Sequence, residues 1–173
     1  MTVVAVNGSP SSTSSTSALA RAALEVAGGG VLVNVGDLDA DALLLRGEHS
    51  SVRDALAAIA DATVLVLATP VYRATFSGLL KLVLDQLPPD SLRGVPVVLA
   101  ATAGSDLHFL SLDTGCRAVV ASLGGWTVPT VVYANPTAFV DKVPTEATLA
   151  LLTRAVDEAR LLAASLGPDQ NPT

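Results

Sequence analysis

A central parallel β-sheet with helices on both faces is the fold class this chain predicts, and three observations carry the prediction. Short β-branched or aliphatic runs alternate with helically spaced apolar residues along the sequence, the pattern of successive βα units. Two of the runs, Thr63-Val64-Leu65-Val66-Leu67-Ala68 and Val97-Val98-Leu99-Ala100-Ala101, are apolar at consecutive positions, as strands covered on both faces require. The chain has 173 residues, 50% hydrophobic but only 3% aromatic, so its core must be built from Val, Leu and Ala. A chain of that length buries about 70% of its unfolded surface.

The elements follow in order. Val3-Val4-Ala5-Val6 is a β-branched run placed as a strand at 2–6, and Asn7-Gly8-Ser9-Pro10 ends it in a turn-forming loop. Residues 11–17 all bear hydroxyls. Ala18-Leu19-Ala20-Arg21-Ala22-Ala23-Leu24 then continues as a helix, placed at 15–27, with Thr16 or Ser17 able to cap it. Further strands are placed at 31–35, 63–68, 95–101 and 127–133, and further helices at 50–60, 77–87, 106–123 and 145–166. In the last helix Leu149, Leu152, Val156, Ala159 and Ala163 recur at helical spacing. Residues 167–173 read as a frayed tail behind one domain at 1–166. Five strands with their helices give a flavodoxin-like three-layer α/β sandwich, a five-stranded parallel sheet in the order 2-1-3-4-5.

Charge and composition exclude several function classes. A net charge of −6 disfavours binding to a nucleic-acid backbone. No apolar run reaches the ~18 residues of a membrane-spanning helix. The chain opens on a strand with no basic segment before an apolar one, so no signal peptide is expected. Its single cysteine, Cys116, excludes an internal disulfide. A soluble, cytoplasmic protein with neither membrane nor nucleic-acid partners is the expectation.

In an open sheet of this order, ligands bind at the carboxyl ends of the strands, near the point where strand order reverses. Three loops should meet there: 7–16, 69–77 and 102–106. The first ends at a helix N-terminus, whose unpaired N–H groups and partial positive charge attract an anion. Its hydroxyls add donors, which makes Ser9, Ser11, Ser14, Ser15, Thr16 and Ser17 candidate phosphate contacts. The bland alternative is a solvated Ser/Thr loop with a simple helix cap. The loop lacks the Gly-x-x-x-x-Gly-Lys pattern of triphosphate sites and the Gly-x-Gly-x-x-Gly pattern of dinucleotide sites. A flavin mononucleotide, with one terminal phosphate, suits it better.

The second loop, Thr69-Pro70-Val71-Tyr72-Arg73-Ala74-Thr75-Phe76, holds two of the chain's six aromatic residues. Tyr72 and Phe76 can flank a planar ring or pack the loop onto the sheet. Arg73 is the only basic residue in the three loops and is expected to hold the flavin or the nicotinamide dinucleotide. The third loop, Thr102-Ala103-Gly104-Ser105, is small enough for its backbone to approach a ligand closely.

Other chemistry is thin. Asp37, Asp39 and Asp41 imitate a calcium loop, but Ala42 stands where the sharp turn needs glycine, so a solvated loop is the reading. His49 and His108 lack metal-ligand spacing. Cys116 reads as a structural thiol, and no Gly-x-Ser-x-Gly elbow supports a hydrolase. Hydride transfer between nicotinamide and flavin needs neither a protein nucleophile nor a general acid, so a poor catalytic inventory suits it.

On these residues the chain resembles the NAD(P)H-dependent FMN reductases, and among them the alkanesulfonate-utilisation type. The resemblance rests on Gly8-Ser9-Pro10 with its Ser/Thr loop, Ala68-Thr69-Pro70-Val71-Tyr72, Ser77-Gly78-Leu79-Leu80-Lys81, and Asp85 with Leu87-Pro88. Leu92-Arg93-Gly94, Thr102-Ala103-Gly104 and His108 followed by Asp113 continue it through about residue 130. It implies that Ser9, Ser14, Thr16 and Ser17 line the FMN phosphate. By the same resemblance Pro70, Val71, Tyr72 and Arg73 border the isoalloxazine, with Thr102, Ala103, Gly104 and Ser105 beneath its far edge. Lys81 and Asp85 would lie on a helix used in dimer or tetramer packing, or form a plain i,i+4 pair.

Two positions depart from the family pattern. Ser11 stands where the family has arginine, which removes a positive charge near the phosphate. Thr114 stands where sulfonate-type relatives carry a bulky aromatic in an irregular helical turn, which predicts a more regular helix here. The resemblance implies an FMN reductase that uses FMN and NAD(P)H and supplies reduced flavin to a partner monooxygenase. Two alternatives are an FMN-retaining quinone or azo reductase and a non-enzymatic flavin-binding electron carrier.

Overall fold

Why the predicted sheet forms is visible in how its strands alternate. The computed structural model describes residues 1–166, so the tail expected at 167–173 lies outside the described residues. The elements are β1 (Val3–Asn7), α1 (Ser15–Val26), β2 (Val31–Asn34), α2 (Ala40–Leu43) and α3 (Ser50–Ala60). Then come β3 (Val64–Tyr72), β4 (Thr75–Phe76), α4 (Gly78–Leu84), β5 (Pro96–Thr102) and α5 (Arg117–Ser122). The chain continues through β6 (Trp126–Thr127), β7 (Val132–Ala134), β8 (Phe139–Val140), β9 (Val143–Pro144) and α6 (Glu146–Leu166).

Strands pair in the order β2-β1-β3-β5-β6, with β7 also on β5 and every one of these pairings parallel. This is the expected flavodoxin-like order, with β6 and β7 as two halves of the expected fifth strand. Alternate side chains reach opposite faces. Val4, Val6, Leu65, Leu67, Val97 and Leu99 meet α3, α4 and α5 on one side. Val3, Ala5, Val66, Ala68, Val98 and Ala100 meet α1 and α6 on the other. The second face is the smaller-grained, and Ala20, Ala22 and Ala23 of α1 and Ala155 and Ala159 of α6 match it. Replacing one of the fully buried leucines, such as Leu65 or Leu67, with alanine costs about 2–5 kcal/mol.

The structure corrects four expectations. The strand placed at 127–133 is interrupted because Pro129 has no N–H to donate, and because the Thr130 N–H donates instead to Glu158 (2.9 Å). The strand placed at 63–68 runs on to Tyr72, paired with β5 as far as Pro70 opposite Thr102, so half of the expected loop is strand. It then doubles back, with Val71 opposite Phe76 and Tyr72 opposite Thr75.

The helix placed at 106–123 is three pieces: a 3₁₀ turn at Asp106–His108, a π-helical turn at Leu112–Cys116, and α5. Thr114 therefore does not make this helix regular. Its hydroxyl donates back to the Leu110 carbonyl (3.1 Å), a bond that bends helices, and Gly115 adds a weak helix former at the same place. Gly115 also lies where a Cβ would come within 3.3 Å of the Thr75 hydroxyl, so the turn packs closely on the β3–β4 hairpin. Finally, α2 and the β8–β9 hairpin were not anticipated. The Asp39 carboxylate, part of the calcium-like spacing, caps α2 by accepting from the Ala42 N–H (2.8 Å).

Candidate functional site

Loops at the carboxyl ends of β1, β3, β5 and β7 enclose a cleft of about 480 Å³, within the range of small-molecule sites. Its most ordered wall is the loop after β1. Asn7 is fully buried and organises it: its Nδ2 donates to Ser11 O (3.3 Å) and to Asn34 Oδ1 (3.1 Å), while its Oδ1 accepts from the Ser9 N–H (3.2 Å). The Ser9 hydroxyl in turn accepts from the Ser11 N–H (3.2 Å). Ser14 caps α1, its hydroxyl accepting from the Ser17 N–H (3.1 Å) and donating to Ser11 O (2.9 Å).

A second layer of bonds fixes that loop to its neighbours. Ser77, buried at the start of α4, donates its hydroxyl to Gly8 O (2.6 Å), and its N–H donates to Thr69 Oγ1 (2.9 Å). Gly8 has no room for a side chain, since a Cβ would stand 2.8 Å from that of Leu80. Thr16 and Thr102 share a hydroxyl–hydroxyl bond of 2.6 Å that joins α1 to the end of β5. Asn7, Thr69 and Ser77 lay inside motifs the sequence reading quoted but were not picked out as site residues. Their signal was present as buried polar residues flanking apolar strands, although only the fold reveals what they bind.

Of the predicted site residues, Ser9, Ser14, Ser15 and Thr16 line one end of the cleft, while Pro70, Val71 and Tyr72 form a side wall. Thr102, Ala103 and Gly104 complete the group brought together. Four others stand elsewhere. Ser11 is exposed and pairs with the Thr13 hydroxyl (3.2 Å); Ser17 is buried in α1 with its hydroxyl unpartnered. Arg73 sits at the tip of the β3–β4 hairpin, where it and Ala74 take positive φ values of 51° and 67°. That two-residue turn carries Arg73 into solvent, outside the lining. Ser105 is exposed, and its carbonyl accepts from the Tyr133 hydroxyl (2.7 Å). Burial first, and then the Asp106 carboxylate, push the Tyr133 phenol up, so it stays protonated as that donor.

Phe76 does not flank the cleft either. It packs into the core beside Gly115, leaving Tyr72, 53% exposed, as the aromatic side chain on that wall. The sequence reading missed the wall after β7. Asn135, Pro136, Phe139 and Lys142 line the cleft from there, and Lys142 Nζ donates across to Thr13 O (3.1 Å). Lys81 and Asp85 form the expected i,i+4 pair on α4.

The donor set fits a phosphate. The backbone N–H groups of Ser15 and Thr16, in the first turn of α1, have no partner among the described residues. The Ser9 and Ser15 hydroxyls beside them are free to donate, and no carboxylate stands in the loop from Asn7 to Ser17. The side walls away from that end are mostly apolar, with Pro70, Val71, Ala103, Ala134, Pro136 and Phe139, which suits a flat heterocycle. Thr102, Asn135 and Lys142 add polar groups.

Residues 1–139 match the family model described as NADPH-dependent FMN reductase. The chain belongs to that family. The flavin reductase has 34% identity over 166 residues with an NADH-dependent FMN reductase, SfnE, of Pseudomonas putida, covering 91% of this chain and 89% of that protein. With an NADH-dependent FMN reductase, SfnF, of the same species it has 46% identity over 84 residues, a match spanning 49% of this chain and 45% of that relative's length. Among solved structures, an apo NADH:FMN oxidoreductase (EMOB) superposes with a TM-score of 0.84 at 36% identity, covering 97% of this chain and 91% of the other. Membership makes the reductase an oxidoreductase that works with FMN and a reduced nicotinamide dinucleotide. No helix among its described residues is long and apolar enough to cross a membrane.

Proposed function

We propose that this reductase binds FMN in the cleft at the carboxyl ends of its strands, with the phosphate at the start of α1, and delivers reduced flavin to a separate monooxygenase. The carrying observation is the hydroxyl-lined end of the cleft, where two unpartnered N–H groups and two free hydroxyls converge with no carboxylate beside them. When bound, FMN supplies the centre that accepts hydride from the reduced nicotinamide.

The residues of the chain bind and orient. Ser9, Ser14, Ser15 and Thr16 hold the phosphate end. Pro70, Val71 and Tyr72 border the ring, and the small residues Thr102, Ala103 and Gly104 leave space beneath it. Arg73 and Ser105, outside the lining, are read as contacts to the second substrate or to none. Ser11 and Ser17 act through the loop: Ser11 by its turn, Ser17 by its capped N–H. No side chain in the lining is a nucleophile poised against a base, which supports a reaction carried by the cofactors.

A homodimer or homotetramer in the cytoplasm is the assembly we read. Leu107, Phe109 and Leu110, exposed together on the segment before the π-turn, support a buried protein contact there. The decisive assay mixes the protein with FMN and either NADH or NADPH under air and follows nicotinamide absorbance. Turnover with saturable dependence on added FMN, from a colourless preparation, supports the reading. A yellow preparation that turns over without added FMN would mean a flavin-retaining quinone or azo reductase, and no oxidation of either nicotinamide would leave a flavin carrier.

A further inference from the structure

The loop from Asn7 to Ser17 has no cationic side chain, yet the ligand it suits carries about two negative charges. A net charge of −6 makes that deficit worse. One cation does reach the loop, from 129 residues away in sequence: Lys142, whose ammonium donates to Thr13 O (3.1 Å) and lines the same cleft as Ser9 and Ser15. It is the only Lys or Arg in that lining.

Lys142 also has charge to spare. Among the described residues, six of the ten lysines and arginines form ion pairs with carboxylates, and Lys142 is not among them. Its one bond among the described residues is to a neutral carbonyl, which uses one of three ammonium donors. The backbone is shaped to put it there. Asp141 and Lys142 form the two-residue turn between β8 and β9, with φ of 48° and 65°, conformations that side-chain-bearing residues adopt at a cost. Strain of this kind persists where surrounding structure holds it, and it concentrates at ligand contacts.

We propose that Lys142 is the charged contact of the flavin phosphate, brought by the β8–β9 hairpin to a loop that otherwise offers only hydroxyls and backbone amides. The inference rests on the proposed placement of FMN and adds to it a residue that specifies phosphate-bearing flavin over riboflavin. A flexible, strongly hydrated ammonium at an exposed position gives an attraction that salt screens, and that releases its ligand more readily than a bidentate guanidinium.

The test compares FMN with riboflavin, which has the same ring and no phosphate. Flavin fluorescence titrations use the full-length protein, Lys142→Met and Lys142→Arg, each at low and high ionic strength. Lys142→Met should weaken FMN about tenfold at low salt, leave riboflavin unchanged and flatten the salt dependence. Lys142→Arg should keep most of the affinity. Equal losses for FMN and riboflavin would overturn the proposal, because the side chain would then only support the hairpin. So would unchanged FMN affinity, or an effect confined to the KM for the nicotinamide. Wild-type protein that binds riboflavin as tightly as FMN would sink the phosphate placement itself, and this inference with it.

Discussion

The two long walls of the cleft are built on different principles. On the α1 side, Asn7, Ser9, Ser11, Ser14 and Thr16 are joined to one another, to Asn34 and to Thr102 by an almost continuous set of hydrogen bonds. Asn7, Ser9, Thr16 and Ser17 are also buried. On the side formed by residues 103–111 and the β7–β9 region, Gly104, Ser105 and Asp106 are exposed, and two side-chain bonds, Tyr133 to Ser105 O and Asn135 to Asp106 (2.9 Å), tie the two segments together. The first wall is set before a ligand arrives. The second is held by fewer side-chain bonds, with the Ala103 N–H to Ala134 O (3.1 Å) and Lys142 to Thr13 O (3.1 Å) beside them, and so is the readier of the two to move. Under the proposed delivery of reduced flavin, a rigid grip on the small charged end and a looser cover elsewhere would allow both specific capture and release.

The contrast can be broken most severely at the rigid wall. Ser9→Glu places a carboxylate beside the proposed phosphate site and should lower FMN affinity by at least about a hundredfold. Because Ser9 is buried, Ser15→Asp at half-buried N1 is the companion variant. A carboxylate in the first turn stabilises α1 by about 0.3–1 kcal/mol while repelling phosphate, so Tm should hold or rise as FMN binding falls. Titration of both variants with FMN and thermal melts check this; normal affinity in either would remove the phosphate from α1.

Next in size, Asn7→Ala strips three bonds from a fully buried group and should cost about 1–3 kcal/mol in a denaturant melt. A loss near zero would mean that the wall is not set by its own bonds. On the open side the effects should be smaller. Tyr72→Ala removes a half-exposed aromatic face and should weaken FMN and riboflavin alike by about 0.5–1.5 kcal/mol, with little change in melting temperature.

The smallest effect concerns pH. Burial would raise the Glu158 carboxyl, but hydrogen bonds from Thr130 and the Arg154 guanidinium outweigh it and hold it below its usual value. A carboxyl lowered in the folded state stabilises above its unfolded range and loses that contribution as pH falls through the folded value. Glu158 pins the segment between β6 and β7, so acid should weaken that tie. Melts of wild type and Glu158→Gln should therefore differ at neutral pH and converge as the solution is acidified; a gap that stays constant would remove Glu158 from the account.

How much of this was legible in the chain varied by element. Helix α3 was legible to the residue, at 50–60, because its apolar stripe and its cap lie within a few positions of each other. Strands β1, β3 and β5 were legible because consecutive apolar residues have one common meaning in a βα series. The expected fifth strand was not, because its interruption depends on Pro129 and on a carboxylate 28 residues beyond Thr130. The π-turn at Leu112–Cys116 was hidden for the same reason, since it packs on a hairpin whose own existence is a matter of pairing. Cys116, read as a structural thiol, is buried there, and burial pushes its thiol up to about 12.

Local sequence thus determined the alternating strands and helices and the run of hydroxyls at the head of α1, because each depends on neighbours a few residues apart. The strand order followed as the topology expected of that fold class. Tertiary structure alone decided which hydroxyls face the cleft, that Arg73 turns into solvent, and that Lys142 comes to lie over Thr13. Those outcomes depend on two-residue turns with positive φ and on contacts across more than a hundred residues. No periodicity in the chain encodes such contacts, since only the assembled sheet brings their partners to one rim.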